Sequence, residues 1–476
     1  MNNIVLALMG LFSSPQAPDI ASLNPSRGYE CIGVVPSSAN EYIDAQVAKA
    51  RAAYPGWSSL SVDERVVHLE KVYALLVAHR EVIASLTSRE MGMPISLAYR
   101  IDIDSGLAYM RAYLDCAAQW LAPDVIHETA EERFTMIFEA RGVAGVITAW
   151  NYPFCNFIWA VMQNLIIGNT VVFKHSEECP LTGVLLEQLM LGTGLPDGVF
   201  NAVHGTGKGV GDYLMHSAID SIHFTGSSQV GHHLYNIAAN KFIPATLELG
   251  GSAPGIICAD ADIDKAVESV YFNRFANSGQ TCDGLKRLIV HRSIIDQVIE
   301  KLTATLVCKK IGDAQDPTTE IGPLVAERQV RALEQQVADA TTKGARVVIG
   351  GKRPAGLSGA YYEPTILTGI TFDMAVWREE VFGPVLPIVS FDTIDEAITL
   401  ANDTKYGLGA YVYAQDKDCA YRIAARLQTG NISVNGADYV LAAIPFGGYK
   451  NSGFGREHGK FGLRELCQSK VIAEKK

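Results

Sequence analysis

The sequence predicts an α/β protein made of two lobes, each built on a largely parallel sheet. Three observations lead there. From Gly142 to Gly250, short apolar runs alternate with helical segments about every 20 to 25 residues, the rhythm of strands joined by crossover helices. The same rhythm restarts between residues 255 and 440. Finally, 476 residues are too many for one simple core, so two or three domains are expected, with no internal repeat or low-complexity linker between them.

The elements follow in chain order. The apolar run Ile4 to Phe12 is nine residues long. It lacks the basic flank and small-residue cleavage site of a signal peptide and is half the length of a membrane span, so it reads as a first strand or an ordered arm. Ser61-Val62-Asp63-Glu64 is a capping box, and Leu69, Val72, Tyr73 and Leu76 follow at helical spacing. One long amphipathic helix is expected from there, ending before Gly92 and Pro94, with a second helical stretch to about residue 119. Arg133 to Arg141 is rich in β-branched and aromatic residues and reads as a strand or hairpin arm. Strands are then expected at Val143–Ile147, Thr170–Phe173, Val199–Val203, Ser221–Phe224 and Ala245–Leu247, with a helix at Thr182–Leu191.

Composition excludes several classes. Hydrophobic residues make up 48% and charged residues 19%, ordinary for a folded enzyme and far from disorder. A net charge of -11 leaves no excess of cations to neutralise phosphates, which excludes a general nucleic-acid binder. Nine cysteines stand at 31, 116, 155, 179, 258, 282, 308, 419 and 467, without a CxxC pair. An odd, scattered set fits reduced thiols in a cytoplasm, with neither a disulfide framework nor a metal site. No membrane partner is expected.

Three segments hold candidate chemistry. Cys282 closes Asn277-Ser278-Gly279-Gln280-Thr281-Cys282, where small residues let a loop present the sulfur. A thiol needs local help to ionise near neutral pH, and most cysteines are simply buried and inert. Glu248 ends an apolar strand in Leu247-Glu248-Leu249-Gly250-Gly251; it reads either as a base raised by burial or as a paired edge residue. Asn151, in Ala149-Trp150-Asn151-Tyr152-Pro153, either offers its amide to a developing oxyanion or caps the next helix.

Together with four further motifs, these segments resemble the aldehyde dehydrogenase superfamily over roughly residues 20 to 470. The motifs are Gly168-Asn169-Thr170-Val171-Val172-Phe173-Lys174, Phe224-Thr225-Gly226-Ser227, Glu379-Glu380-Val381-Phe382-Gly383-Pro384, and Pro445 to Glu457 (PFGGYKNSGFGRE). The resemblance implies a Rossmann-type NAD-binding domain at 1–121 and 141–250 and an α/β catalytic domain at 251–449. It also implies a small β oligomerisation extension from the arm 122–140 and the C-terminal strand region 450–476. A homodimer or homotetramer follows, since such apolar edges are hard to bury in a monomer.

The resemblance also assigns residues. Cys282 is implied as the nucleophile that forms a thiohemiacetal and then a thioester. Asn151 and the Cys282 backbone N–H would hold the oxyanion, and Glu248 would activate the hydrolytic water, with Glu457 assisting proton relay. Trp150, Lys174, Glu177, Gly207, Gly211, Gly226, Ser227, Glu380 and Phe382 are implied as cofactor contacts. Gly205 to Gly211 fails strict GxGxxG spacing, so the pyrophosphate is expected at the helix N-terminus beginning at Gly226-Ser227. Glu177 would accept hydrogen bonds from ribose hydroxyls and repel a 2′-phosphate, which favours NAD over NADP.

Tyr152, Trp159 and Phe446 match the aromatic positions of the substrate tunnel. Lys174-His175-Ser176 resembles a subgroup that includes succinate-semialdehyde dehydrogenases, and Ala160 replaces a lysine common after the tunnel aromatic. Succinate semialdehyde or another small aliphatic aldehyde is therefore the expected substrate. Asp283, beside the nucleophile, disfavours an anionic tail unless it points away. An acylating enzyme that uses coenzyme A and a non-catalytic structural relative are the alternatives. Glu248 weighs against the first, and the intact trio of Cys282, Glu248 and Asn151 against the second.

Overall fold

The computed structural model describes residues 19–476. The expected strand or arm at Ile4 to Phe12 lies outside the described residues.

A six-stranded sheet forms the first lobe. Its order is Gly453–Phe454, Ala245–Glu248, Ser221–Thr225, Val143–Ile147, Thr170–Lys174 and Phe200–Val203. All neighbours are parallel except the short Gly453–Phe454, which lies antiparallel with Gly453 opposite Glu248. Four of these strands are buried along their whole length, which explains why they read as largely apolar runs without alternation. The chain leaves Val143–Ile147 in one direction and later returns to pair on its other side, so the strand order reverses there.

The second lobe holds seven strands in the order Arg346–Ile349, Thr365–Thr368, Val385–Phe391, Leu285–His291, Ala253–Ile257, Gly409–Tyr413 and Asn431–Val434. Only the outermost, Arg346–Ile349, runs antiparallel to its neighbour. The protein is thus α/β with two largely parallel sheets, as the alternating rhythm predicts.

A third sheet of three strands packs apart from these. Gln468–Lys475 pairs with Glu132–Glu139 over its full length, and Asp124–Glu128 pairs on the other side. Arg464 ties this sheet to the body: it donates to the carbonyls of Trp120 and Ala122 at 2.7 and 3.0 Å, and its guanidinium lies 4.0 Å from the Phe138 ring centroid.

The capping box forms as read: the Ser61 hydroxyl accepts from the Glu64 N–H at 3.2 Å, and the Glu64 carboxylate accepts from the Ser61 N–H at 2.7 Å. The helix it starts is shorter than expected, however. It ends at Ala78, and a second helix, Arg80–Met91, continues after a break at His79. The His79 ring nitrogen is 2.9 Å from the Leu75 carbonyl, which places a side chain on a carbonyl of the last helical turn. Gly92 then closes the second helix in the left-handed conformation. The sequence reading also lacked the hairpin Ile20–Asn24/Glu30–Val35 and the helix Asn40–Ser58, which carries Pro55 in its last turn. No described helix is long and apolar enough to cross a membrane.

Candidate active site

In an open parallel sheet, ligands gather beyond the C-terminal strand ends, where the strand order reverses. Here those ends lead into Thr148, Trp150 and Asn151 after one strand, Lys174 and Glu177 after another, Gly226 and Ser227 after a third, and Glu248 at a fourth. The second lobe faces them with the opposite ends of its strands. Cys282 precedes Leu285–His291, and Glu380 and Phe382 precede Val385–Phe391. Between the lobes lies a cavity of about 1090 Å³ that Asn151, Glu248 and Cys282 all line.

The Cys282 loop is held in an unusual backbone. Asn277, Ser278 and Gly279 have φ of 51°, 53° and 72°, three consecutive residues in the left-handed region, of which only the last is glycine. A non-glycine residue there costs roughly 1–2 kcal/mol, so the loop depends on side-chain support. Asn277 Nδ2 donates to the Asn151 carbonyl at 3.0 Å, Ser278 Oγ to Gly322 O at 2.7 Å, and Gln280 Oε1 accepts from Val325 N at 2.8 Å. In return, Asn151 Nδ2 donates to the Gln280 carbonyl at 3.2 Å. The Asn151 amide therefore reaches the Cys282 loop. The helix-capping alternative is not realised, because the helix Pro153–Phe157 begins at Tyr152 without a side-chain cap. Burial pushes the Cys282 thiol well above its ordinary value. Asp283 adds to that, and Lys286 opposes it.

Glu248 is buried, and neither of its carboxyl oxygens has a hydrogen-bond partner among the described residues. Burial raises its pKa well above the ordinary carboxylate value, and the nearby Glu457 raises it further, with Arg456 acting the other way. Glu457 is equally buried but well supported: the His223 ring bonds its Oε1, and His458 Nε2 lies 3.8 Å from Oε2. Burial pushes the Glu457 pKa up; the hydrogen bond from His223 and the nearby imidazoles of His223 and His458 outweigh it, so its net shift is downward. Asn164 Nδ2 lies 3.1 Å from the other ring nitrogen of His223. An amide donor there fixes the tautomer whose Nε2–H points at Glu457.

The groove beside Glu248 and Phe382 fits a dinucleotide. The first turn of the helix Ser228–Lys241 opens on it, a natural anion site. Thr148 Oγ1 is buried on the cavity side without a partner among the described residues. A Cβ on Gly250 would stand 2.1 Å from Glu380 Oε2, so glycine is what makes room for that carboxylate. Trp150, Lys174, Glu177, Gly207, Gly226, Ser227, Glu380 and Phe382 all line the cavity. Gly211 does not. It lies in a π-helical turn, Gly207–Gly211, packed toward Ile147, because the turn exposes only its first residue to the groove. Lys174 and Glu177 bind each other at 2.8 Å, and Glu177 Oε2 also accepts from the Gly207 N–H at 3.1 Å. Burial and the Lys174 charge push the Lys174–Glu177 pair in opposing directions, and the net effect on Glu177 is downward.

On the other side of Cys282, Tyr152, Trp159 and Phe446 line the cavity, with the Tyr152 hydroxyl 2.9 Å from Thr281 Oγ1. Asp283 lines it too, 3.9 Å from the Cys282 sulfur. Burial raises its pKa, and a bond from the Tyr439 hydroxyl lowers it. His175 is buried away from this chemistry, its pKa pushed down to about 3 by desolvation and the Lys174 charge, so it stays neutral. Sequence reasoning missed Tyr439, His223, His458 and Lys286. They lie outside the quoted motifs: His458 and His223 each flank one directly and Lys286 follows Cys282 by four residues, while Tyr439 is brought in by the fold. Among the described residues no group of three or more potential ligands is placed to hold a metal ion.

Comparison with known proteins agrees with this geometry. The profile of the Aldehyde dehydrogenase family matches residues 12–472. The succinate-semialdehyde dehydrogenase [NADP(+)] of Deinococcus radiodurans is 35% identical over 458 residues, 96% of this chain and 95% of that protein. The peroxisomal aminoaldehyde dehydrogenase 1 of Pisum sativum is 36% identical over 464 residues, 95% of this chain and 92% of that protein. The NAD+ complex of an aldehyde dehydrogenase from Bacillus cereus superposes with a TM-score of 0.95 at 31% identity, covering 100% of this chain and 99% of that one. Two largely parallel sheets facing each other across such a cavity define a two-lobed α/β protein with its site between the lobes. The chain belongs to the aldehyde dehydrogenase family.

Replacing Glu457 by glutamine removes a negative neighbour and so favours the ionised form of Glu248. The Glu248 carboxyl band, assigned by infrared difference against Glu248→Gln, is expected to titrate at lower pH in the Glu457→Gln protein. An unmoved or upward-shifted titration contradicts the like-charge coupling.

Proposed function

We propose that the protein oxidises a small aldehyde to its carboxylic acid, with NAD or NADP, through a thioester on Cys282 that water hydrolyses. One observation carries the reading: Cys282, Asn151 and an unpartnered, buried Glu248 border the same cavity from three distant stretches of chain.

The steps follow from the side chains. The Cys282 sulfur forms a bond to the carbonyl carbon as the C=O π pair moves onto oxygen. An amide carries two N–H groups, so Asn151 keeps one for that oxygen beside its bond to Gln280, together with the Cys282 backbone N–H. One such donor is typically worth about 2.7–4 kcal/mol in the transition state. NAD or NADP, held beside Cys282 by residues such as Glu380 and Phe382, would supply the hydride acceptor for the hydrogen on the same carbon. Glu248 then takes a proton from water as the water oxygen bonds to the thioester carbon and the C–S bond breaks. Its lack of hydrogen-bond partners and its raised pKa suit a base that works near neutral pH. Glu457, oriented by His223, is the neighbour that receives the proton onward.

For the cofactor, Trp150, Gly226 and Ser227 border the pyrophosphate side of the groove, and Glu380 and Phe382 the nicotinamide side. The carboxylate of Glu177 supports NAD, since it repels a 2′-phosphate. The relative from Deinococcus that is named for NADP(+) makes a direct comparison of the two cofactors worthwhile. The resemblance to that relative favours succinate semialdehyde or another small aliphatic aldehyde. Asp283 favours a second reading, an aldehyde with a cationic tail, because its carboxyl stands beside the nucleophile. The three-stranded sheet supports association: Gln468–Lys475 is exposed along its whole length, with Val471 and Ile472 about half accessible.

A panel of aldehydes assayed with NAD and with NADP tests the reading. Free acid and reduced cofactor are expected in equal amounts without coenzyme A; a requirement for coenzyme A would mean an acylating enzyme. Glu248→Gln is expected to release one equivalent of reduced cofactor in a burst, with steady turnover slowed about 10²–10⁴-fold. Slowed turnover with no burst would remove Glu248 from hydrolysis. Asp283→Ala is expected to shift kcat/KM from aminoaldehydes toward carboxylated aldehydes, and unchanged ratios in both series would exclude the carboxyl from the tunnel. Light scattering at micromolar concentration is expected to give a homodimer or homotetramer; a monomer would contradict the role given to the arm.

A further inference from the structure

Lys286 is a fully buried cation that the steps above do not use. It is the second residue of the strand Leu285–His291, and its side chain has no exposure. An ammonium out of water has to be paired and hydrogen-bonded or it destabilises the fold by several kcal/mol. Here its bonds go to three different stretches. Nζ donates to the Gly251 carbonyl at 2.9 Å, to the Cys282 carbonyl at 3.0 Å, and to Glu380 Oε1. That oxygen of Glu380 also accepts from the Gly251 N–H at 3.1 Å. The same ammonium lies 5.1 Å from the ring centroid of Phe382. One side chain therefore joins the loop of the thiol, the turn just beyond Glu248, and the segment that carries Glu380 and Phe382.

We propose that Lys286 is a positioning residue which fixes the Cys282 backbone and the Glu380 carboxylate with one ammonium, so that thiol and cofactor loop keep a single relative placement. This rests on reading Cys282 as the nucleophile and Glu380 as a cofactor contact. Three consequences follow. The bond to Cys282 O restrains the peptide that follows the nucleophile, and hence the direction of its sulfur. The bond to Glu380 leaves the other carboxylate oxygen on the side of Gly250, where the missing Cβ admits it. Lys286 also places a cation among the carboxyl groups of Asp283, Glu380 and Glu248 and the hydroxyls of Tyr152 and Tyr411, which face the thiol from the other elements around it; Arg274 is the next cation outward.

The test uses full-length Lys286→Met. Alkylation of Cys282 by iodoacetamide is followed against pH without cofactor or aldehyde, with the modified peptide quantified by mass spectrometry. The midpoint is expected to rise, and each unit of rise lowers the thiolate fraction, and so the rate near neutral pH, about tenfold. The cofactor KM is expected to rise several-fold, with a smaller change in the aldehyde KM. The double variant Lys286→Met/Glu380→Gln leaves no unpaired buried charge and keeps the test available if the single variant folds poorly. It is expected to regain part of the thiol shift, because a cation and an anion leave together, while the cofactor KM stays raised. An unchanged alkylation midpoint and cofactor KM in a folded single variant overturn the proposal, as does a wild-type cofactor KM in the double. Cys282→Ser separates the two readings: if it retains turnover, the nucleophile assignment itself has failed, whatever Lys286 does.

Discussion

The site depends on a reciprocal pair of side-chain bonds between the lobes. Asn277 reaches across to the Asn151 carbonyl, and Asn151 reaches back to the Gln280 carbonyl. Between them stands the left-handed run Asn277–Gly279. Two non-glycine residues in that region cost roughly 2–4 kcal/mol together, and a typical net hydrogen bond contributes only about 0.5–1.5 kcal/mol. No single bond offsets the strain, whereas the set that includes Ser278 to Gly322 and Gln280 to Val325 does. The loop is thus held from both sides, by Asn151 across the cleft and by Gly322 and Val325 behind it, and its conformation is not a property of residues 276–282 alone.

A second regularity concerns carbonyls. The segments that enter the second sheet from the cavity side, around Gly251–Ser252 and Val381–Gly383, approach the site as irregular backbone. Unpaired carbonyls there would be costly. Buried cations take them up: Lys286 bonds Gly251, Arg287 bonds Ser252 together with Leu400 and Ala401, and Arg274 bonds Val381 and Gly383. Desolvation pushes both arginines down to about 9, still well above neutral pH. They remain charged donors without a carboxylate partner among the described residues, which shows that their task is to hold backbone.

These relations mark what a sequence exposes. The capping box at Ser61, the buried strands and the segments around Asn151, Glu248 and Cys282 are local patterns, and the structure carries each at the place the pattern implies. The break at His79 is not local in this sense, because apolar spacing continues through it and only a ring nitrogen on the Leu75 carbonyl marks the interruption. Pro55 obscures the helix Asn40–Ser58 because a proline near the end of a helical pattern reads as a stop. Lys286 and His223 each sit inside a strand and outside the quoted motifs, and their carboxylate partners are 94 and 234 residues away.

In the proposed mechanism the resting thiol carries a proton that must leave before carbon–sulfur bonding is complete. Burial raises both Cys282 and Glu248 well above their ordinary values, and the carboxylate of Glu248 adds a smaller upward push on the thiol. Those two shifts have one cause, the loss of water, and so they largely cancel in a transfer from sulfur to carboxylate, which exchanges one buried anion for another. What does not cancel is the specific surroundings. Asp283 and Lys286 act on the sulfur in opposite directions, while Glu457 acts on the carboxylate. The balance between thiol and base therefore depends on their charged neighbours, Asp283, Lys286 and Glu380 on one side and Glu457 and Arg456 on the other, of which Glu457 is itself favoured in its ionised form by His223. A cavity that only excluded water would raise both groups and leave the ordinary preference of the proton for sulfur over a carboxylate unchanged. The unequal placement of these charges is what can shift that preference.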